Sequence, residues 1–147
     1  MNKDRIKLAI EILTAIPETH FDIDSEFNTS FTDERTADKF KEPACGTTAC
    51  ALGWMALDPE CQALGFKPDT TTDNILCGIQ YKGEESASAG AAFFDIDYEK
   101  SAALFAYNSD GCRDLYNKGF SDITQFDVIY QLEFLRLTGE LHWGHHA

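Results

Sequence analysis

The sequence predicts a mainly α fold: a compact helical domain around a central apolar helix, with a small β-hairpin or strand pair at one side. Three segments carry that expectation. Asp4–Ile16 has a narrow polar stripe, Ala49–Leu57 has no polar or charged residue, and Gln125–Thr138 combines an apolar face with start and stop signals. At 147 residues, with 44% hydrophobic residues and 11 Phe, the chain fits one domain with a real core.

In the first segment Asp4, Lys7, Glu11 and Thr14 recur at spacings of three and four, and apolar residues cover the remaining circumference. Such a helix buries more than half its surface and needs at least two partners. Pro17 ends it. Phe21 to Phe27 alternates apolar and acidic residues, the pattern of a short half-buried strand. The carboxylates from Asp22 onward also suggest a calcium loop, but Phe27 stands where the sharp turn needs Gly and Asp33 replaces the closing Glu, so that reading fails.

Ala49–Leu57 is apolar on every side and belongs in the middle of a domain. Thr47 or Thr48 can cap its first N–H groups, and Asp58-Pro59 closes it or starts a new turn. Residues 65–84 contain turn formers around a run from Asn74 to Tyr81 that reads as a strand or hairpin. Ala87–Phe94 reads as a helix of small residues, and Asp97 caps another that reaches about Tyr107. Asn108–Gly119, with Gly111 and Gly119, reads as a loop. Thr124 and Asp127 form a capping-box pattern, and Gly139 stops the last helix.

Charge restricts the function classes. There are 25 acidic against 12 basic residues, a net −13, spread as −7 up to residue 75 and −6 beyond it. A field of that sign repels nucleic acid and anionic membranes, so direct binding to either is not expected. It favours solubility, and it can present carboxylates to a basic protein surface in imitation of a phosphate backbone. The five cysteines are an odd number, and Met1–Lys7 leads straight into an amphipathic pattern rather than a signal peptide. Both point to a reducing, cytoplasmic setting.

Cys45-Gly-Thr-Thr-Ala-Cys50-Ala-Leu-Gly53-Trp54 is the distinctive motif. It resembles a set of small phage and prophage proteins that carry Cys-Gly-Thr-x-Ala-Cys-x-x-Gly-Trp, often followed by Ala; here Met55 intervenes before Ala56. A second segment, Phe94 to Phe105, resembles a capped helix ending in Leu-Phe in the same proteins. The resemblance covers about a fifth of the chain. It implies a phage-type origin and a host-cell setting, and it supplies no activity.

Three chemical readings of the motif stand side by side. In the first, Gly46 permits a tight entry, a Thr caps, and the small residues keep the helix thin so that neighbours approach closely. In the second, Gly46, Thr47 and Thr48 at a helix start hold an anion such as a nucleotide, with Lys41, Lys39 or Arg35 as counter-charge. In the third, Cys45 just before the helix is an activated thiol, which would also need a general base that no sequence context supplies. A metal site is not expected, because Cys45 and Cys50 are wrongly spaced for zinc, and His142, His145 and His146 read as a frayed terminus. No cofactor is expected. The function these observations favour is stoichiometric binding, blocking a host or defence protein or holding a nucleotide signal. The rival is a thiol-dependent enzyme using Cys45.

Overall fold

The structure, a computed structural model, describes residues 1–23, 28–29, 47–70 and 76–144. Among them are seven α-helices, two short 3-10 turns, a two-stranded ladder and a three-stranded antiparallel sheet. The chain is mainly helical with a small β element, as its sequence predicts.

Helix α1 spans Lys3–Ala15, with the Asn2 side chain accepting from the Arg5 backbone N–H at its start. Ile6, Ala9, Ile10 and Leu13 are buried. Residues Asn28–Thr29 (β1) pair antiparallel with Thr47–Thr48 (β2). The alternating run from Phe21 is described only to Ile23, and its remainder lies outside the described residues. Phe21 forms a parallel bridge to Ala49, with Asp22 N–H donating to Ala49 O and Ala49 N–H donating to His20 O.

The apolar helix α2 covers Ala51–Leu57 and packs against α1, against α3 (Pro59–Ala63) and against the sheet. Met55 and Ala56 are fully buried and Leu57 is 9% exposed. Trp54 is only half-buried, and its indole N–H donates to His20 O at 2.8 Å. Asp58 ends α2 and caps α3, accepting from the Glu60 and Cys61 backbone N–H groups, while Pro59 occupies the first turn, where a missing N–H costs nothing.

Strands β3 (Lys67–Thr70), β4 (Leu76–Tyr81) and β5 (Glu84–Glu85) follow in antiparallel order. Lys82 and Gly83, both at positive φ, make the two-residue turn between β4 and β5 whose twist suits a hairpin. Helix α4 (Ser86–Phe94) starts directly from β5. It packs on α5 (Tyr98–Phe105), capped by Asp97. A Cβ at Gly90 would stand 2.8 Å from Ser101 Oγ, which is itself fixed by donating to Ala87 O at 2.6 Å. Aromatic rings fill the centre: Phe93 lies 4.8 Å from Phe66 and 5.3 Å from Tyr81, centroid to centroid, with the Arg5 guanidinium 4.6 Å above its face.

Residues 108–119 depart from the expected loop. Asp110–Tyr116 forms helix α6, capped by Ser109 Oγ accepting from Cys112 N–H and ended by Asn117 in the left-handed region. Gly111 does not break this helix. It lies against Ala103, where a Cβ would have ordinary contact distance, and α6 packs on α5. Cys112, Leu115 and Tyr116 supply its buried face.

Helix α7 (Gln125–Thr138) has the predicted capping box, with Thr124 and Asp127 each accepting from the other's backbone N–H. Lys118 Nζ reaches the buried Asp127 carboxylate at 2.9 Å. Contrary to expectation, α7 packs along α1 rather than wrapping α2. Gln125 is the reason: its amide Nε2 donates to Leu13 O at 2.9 Å and Ile16 O at 2.5 Å, binding the end of α1 to the start of α7. The tail also differs from the frayed terminus expected. His142 exchanges two hydrogen bonds with the Gln131 side chain, stacks on Phe134, and is followed by Gly144 N–H donating to Leu115 O. His145 and His146 lie outside the described residues.

Three substitutions test this packing. Gly90→Ala must push Ser101 off its bond to Ala87 O, and a loss of about 1–3 kcal/mol is expected from overpacking. Gly119→Ala, where a Cβ meets only ordinary contact, should stay within about 0.5 kcal/mol. Gln125→Leu removes the donor to Ile16 O and one of the two to Leu13 O, and should cost about 1–3 kcal/mol. Urea midpoints at unchanged slope measure all three.

Candidate functional site

Of the residues singled out by sequence, Lys41, Cys45 and Gly46 lie outside the described residues. Thr47 and Thr48 are described in their backbone only, and it corrects their assigned role. They form β2, paired to Asn28–Thr29, and helix α2 begins later, at Ala51. Its N-cap position belongs to Cys50, which makes no side-chain capping bond. The threonines stop short because Ala49 is held in the bridge to Phe21, keeping the backbone extended up to Cys50.

Cys50, 4% exposed, behaves as the small buried hydrophobe that one reading of the motif requires, and it also borders a cavity. That cavity, about 300 Å³, lies where three parts of the chain meet. The approach to α2 contributes Ile23, Cys50 and Leu52. The start of α4 contributes Glu85 to Ser88. Helix α5 and the turn beyond it contribute Tyr98, Phe105 and the stretch Ala106 to Asn108. Ser86 holds φ +49, an uncommon conformation for a residue with a side chain, at the junction where β5 becomes α4. Glu85 carries the only formal charge among the described lining residues.

Sequence reasoning did not bring Glu85, Ser88, Tyr98, Tyr107 and Asn108 together. The local signals exist: a polar run before a helix of small residues, and a Tyr directly after the Asp97 cap. What the sequence withholds is the crossing of α4 and α5, set by the contact of Gly90 with Ser101.

The described thiols away from this cavity are chemically quiet. Burial pushes the Cys61 thiol up to about 12, with Asp58 and Glu60 adding to the effect and Arg5 opposing it. Burial alone pushes Cys112 up to about 12. The fully buried Tyr116 phenol is raised well above its ordinary value for the same reason, and its hydroxyl donates to Leu104 O. Tyr81 moves the other way, lowered chiefly by the hydrogen bond from Arg5. Arg5 thus serves packing, holding Tyr81 Oη and Phe93 O at 3.0 and 3.1 Å.

The acidic surface is spread over several elements. Asp4 and Glu11 on α1, Glu60 on α3, Glu84 and Glu85 on β5, Asp95 and Glu99 around the α4–α5 turn, and Asp110 and Asp114 on α6 are all exposed. Among the described residues no three His, Cys, Asp or Glu side chains gather as a metal site, and no helix is long and apolar enough to cross a membrane. Comparison of the chain with protein-family models, curated proteins and solved structures finds no match.

The raised thiols have a measurable consequence. In the native protein, Cys61 and Cys112 should remain unlabelled by iodoacetamide at pH 7.5 over a time that alkylates free glutathione, and both should label in urea. Because folding raises these thiol values from 9.0 to about 12, the stabilisation they lend is complete below pH 9. It is lost as pH climbs from there towards 12. Urea midpoints should therefore fall across that alkaline window, and less steeply in Cys112→Ala relative to that variant's own value at neutral pH.

Proposed function

We propose that this chain is a small acidic accessory protein of phage type, acting by stoichiometric binding to a basic surface of a host or defence protein. The observation that carries the proposal is the net charge of −13, displayed as exposed carboxylates on α1, β5, the α4–α5 turn and α6. A distribution this broad lowers the potential over much of the surface, steering encounter with a basic partner from many orientations. A protein partner is preferred to a nucleotide because Thr47 and Thr48 are paired in a strand and the helix start that the nucleotide reading placed at them lies later, at Ala51.

The test is capture from bacterial lysate on the immobilised chain, eluted in a salt gradient. A partner held through carboxylates leaves as the screening length falls from about 10 Å at 0.1 M salt to about 3 Å at 1 M. Native mass spectrometry of the eluted complex should give a fixed stoichiometry, and Cys45→Ser should capture as well as the unmodified chain. Retention indifferent to salt argues against the acidic surface. A Cys45 that alkylates much faster than glutathione, together with an activity abolished by Cys45→Ser, would replace binding with thiol chemistry.

A further inference from the structure

The cavity at the meeting of α2, α4 and α5 is not used by the proposed surface interaction, and its chemistry is specific enough to assign a ligand class. We infer that it is a binding site for a small uncharged molecule combining a flat ring with hydrogen-bonding groups.

Size comes first. A volume of about 300 Å³ stands at the lower end of the ~300–1,000 Å³ usual for ligand sites, so the occupant is a fragment-sized or nucleoside-sized molecule rather than a peptide. The lining then sets shape. Leu52 and the buried Phe105 give an apolar surface, while Tyr107 and Tyr98 add aromatic rings. Tyr98 remains 58% exposed, although aromatic side chains are usually well covered, so a planar ring laid against it removes apolar surface from water.

Polar groups provide orientation. Among the described residues, neither the Ser88 hydroxyl nor the Asn108 amide has a hydrogen-bond partner within the protein, and both border the cavity. A hydroxyl and a carboxamide each donate and accept, so they suit a ligand with both kinds of group.

Charge decides between neutral and ionic ligands. Among the described lining residues none is basic, and the Glu85 carboxylate repels an anion. The start of α4 opposes a cation, since its end of the helix carries a partial positive charge of roughly half a unit, and Glu85 at its N-cap makes no capping bond that would cancel it. The two fields act against each other at the same place, leaving an uncharged ligand the least penalised.

Three isosteric probes isolate each part of this argument: benzamide, the cation benzamidine and the anion benzoate, titrated into the 15N-labelled full chain at neutral pH. Benzamide is expected to shift the backbone amides of residues 86–88 and 106–108 saturably, with a dissociation constant in the range of about 1–10 mM, reasonable for so small a ligand. Benzamidine and benzoate should bind at least about fivefold more weakly, a difference of ~1 kcal/mol. Ser88→Leu, which fills the cavity from a half-buried position, should abolish the benzamide shifts while the rest of the spectrum keeps its native dispersion. Should Ser88→Leu fail to fold, Asn108→Ala at an exposed position should weaken benzamide about threefold or more. The inference is overturned if none of the probes perturbs these amides at 20-fold the expected constant, if either ion binds as tightly as benzamide, or if the folded variants bind benzamide unchanged.

Discussion

Everything in the helical layer depends on how the end of α1 is finished. A helix leaves its final carbonyls without internal partners, and here the following Pro17 cannot continue the ladder. Gln125, 112 residues away from Leu13, adds a donor to the Leu13 carbonyl and supplies one to Ile16 O from the first position of α7. Its Nε2 serves two carbonyls, while its Oε1 is buried without a partner among the described residues. An orphaned acceptor costs about 1–3 kcal/mol, and it is tolerated where the alternative leaves Ile16 O without its donor and Leu13 O with only the Ile16 N–H. The result is a fixed register between the first and last described helices, so α1 rather than α2 is the shared wall between α7 on one side and α2 and α4 on another.

Behind that wall the packing is aromatic and close. Phe66, Tyr81, Phe93, Phe94 and Phe105 run through the centre in edge and stacked contacts, and Arg5 lies over two of those rings while its N–H groups are taken up by Tyr81 Oη and Phe93 O. A guanidinium partly withdrawn from water is costly when bare, and here it lies against π faces and donates to two acceptors. The small residues of α4 do the opposite work. They bring α4 close to α5, and the start of α4 and the end of α5 both border the space beside Cys50.

How much of this was legible can be argued residue by residue. The stripe of Asp4, Lys7, Glu11 and Thr14, the Asp97 cap and the Thr124–Asp127 box each encode a local event, and each appears where its chemistry puts it. Gly111 misled because glycine reads as a breaker when only its own backbone is considered, whereas the Ser109 cap starts a helix that runs through it. Thr47 and Thr48 misled because a hydroxyl before an apolar run reads as a cap, whereas a distant strand claims their backbone. The candidate cavity was illegible for the same reason. Its residues come from three separate stretches, joined only by the crossing of α4 and α5. Local capping reads from sequence; long-range claims on the same backbone do not.

The return of the chain after Gly139 has a practical meaning for handling the molecule. Leu141 is buried, His142 fits between Tyr130 and Phe134, and Gly144 N–H closes on Leu115 O. A shortened version drawn to stop where the last helix stops would look tidy on a secondary-structure diagram. It would also uncover the Gln131 carboxamide and remove the buried Leu141 side chain from the core. Any affinity handle or fluorescent label is better appended beyond Gly144, leaving this clasp shut.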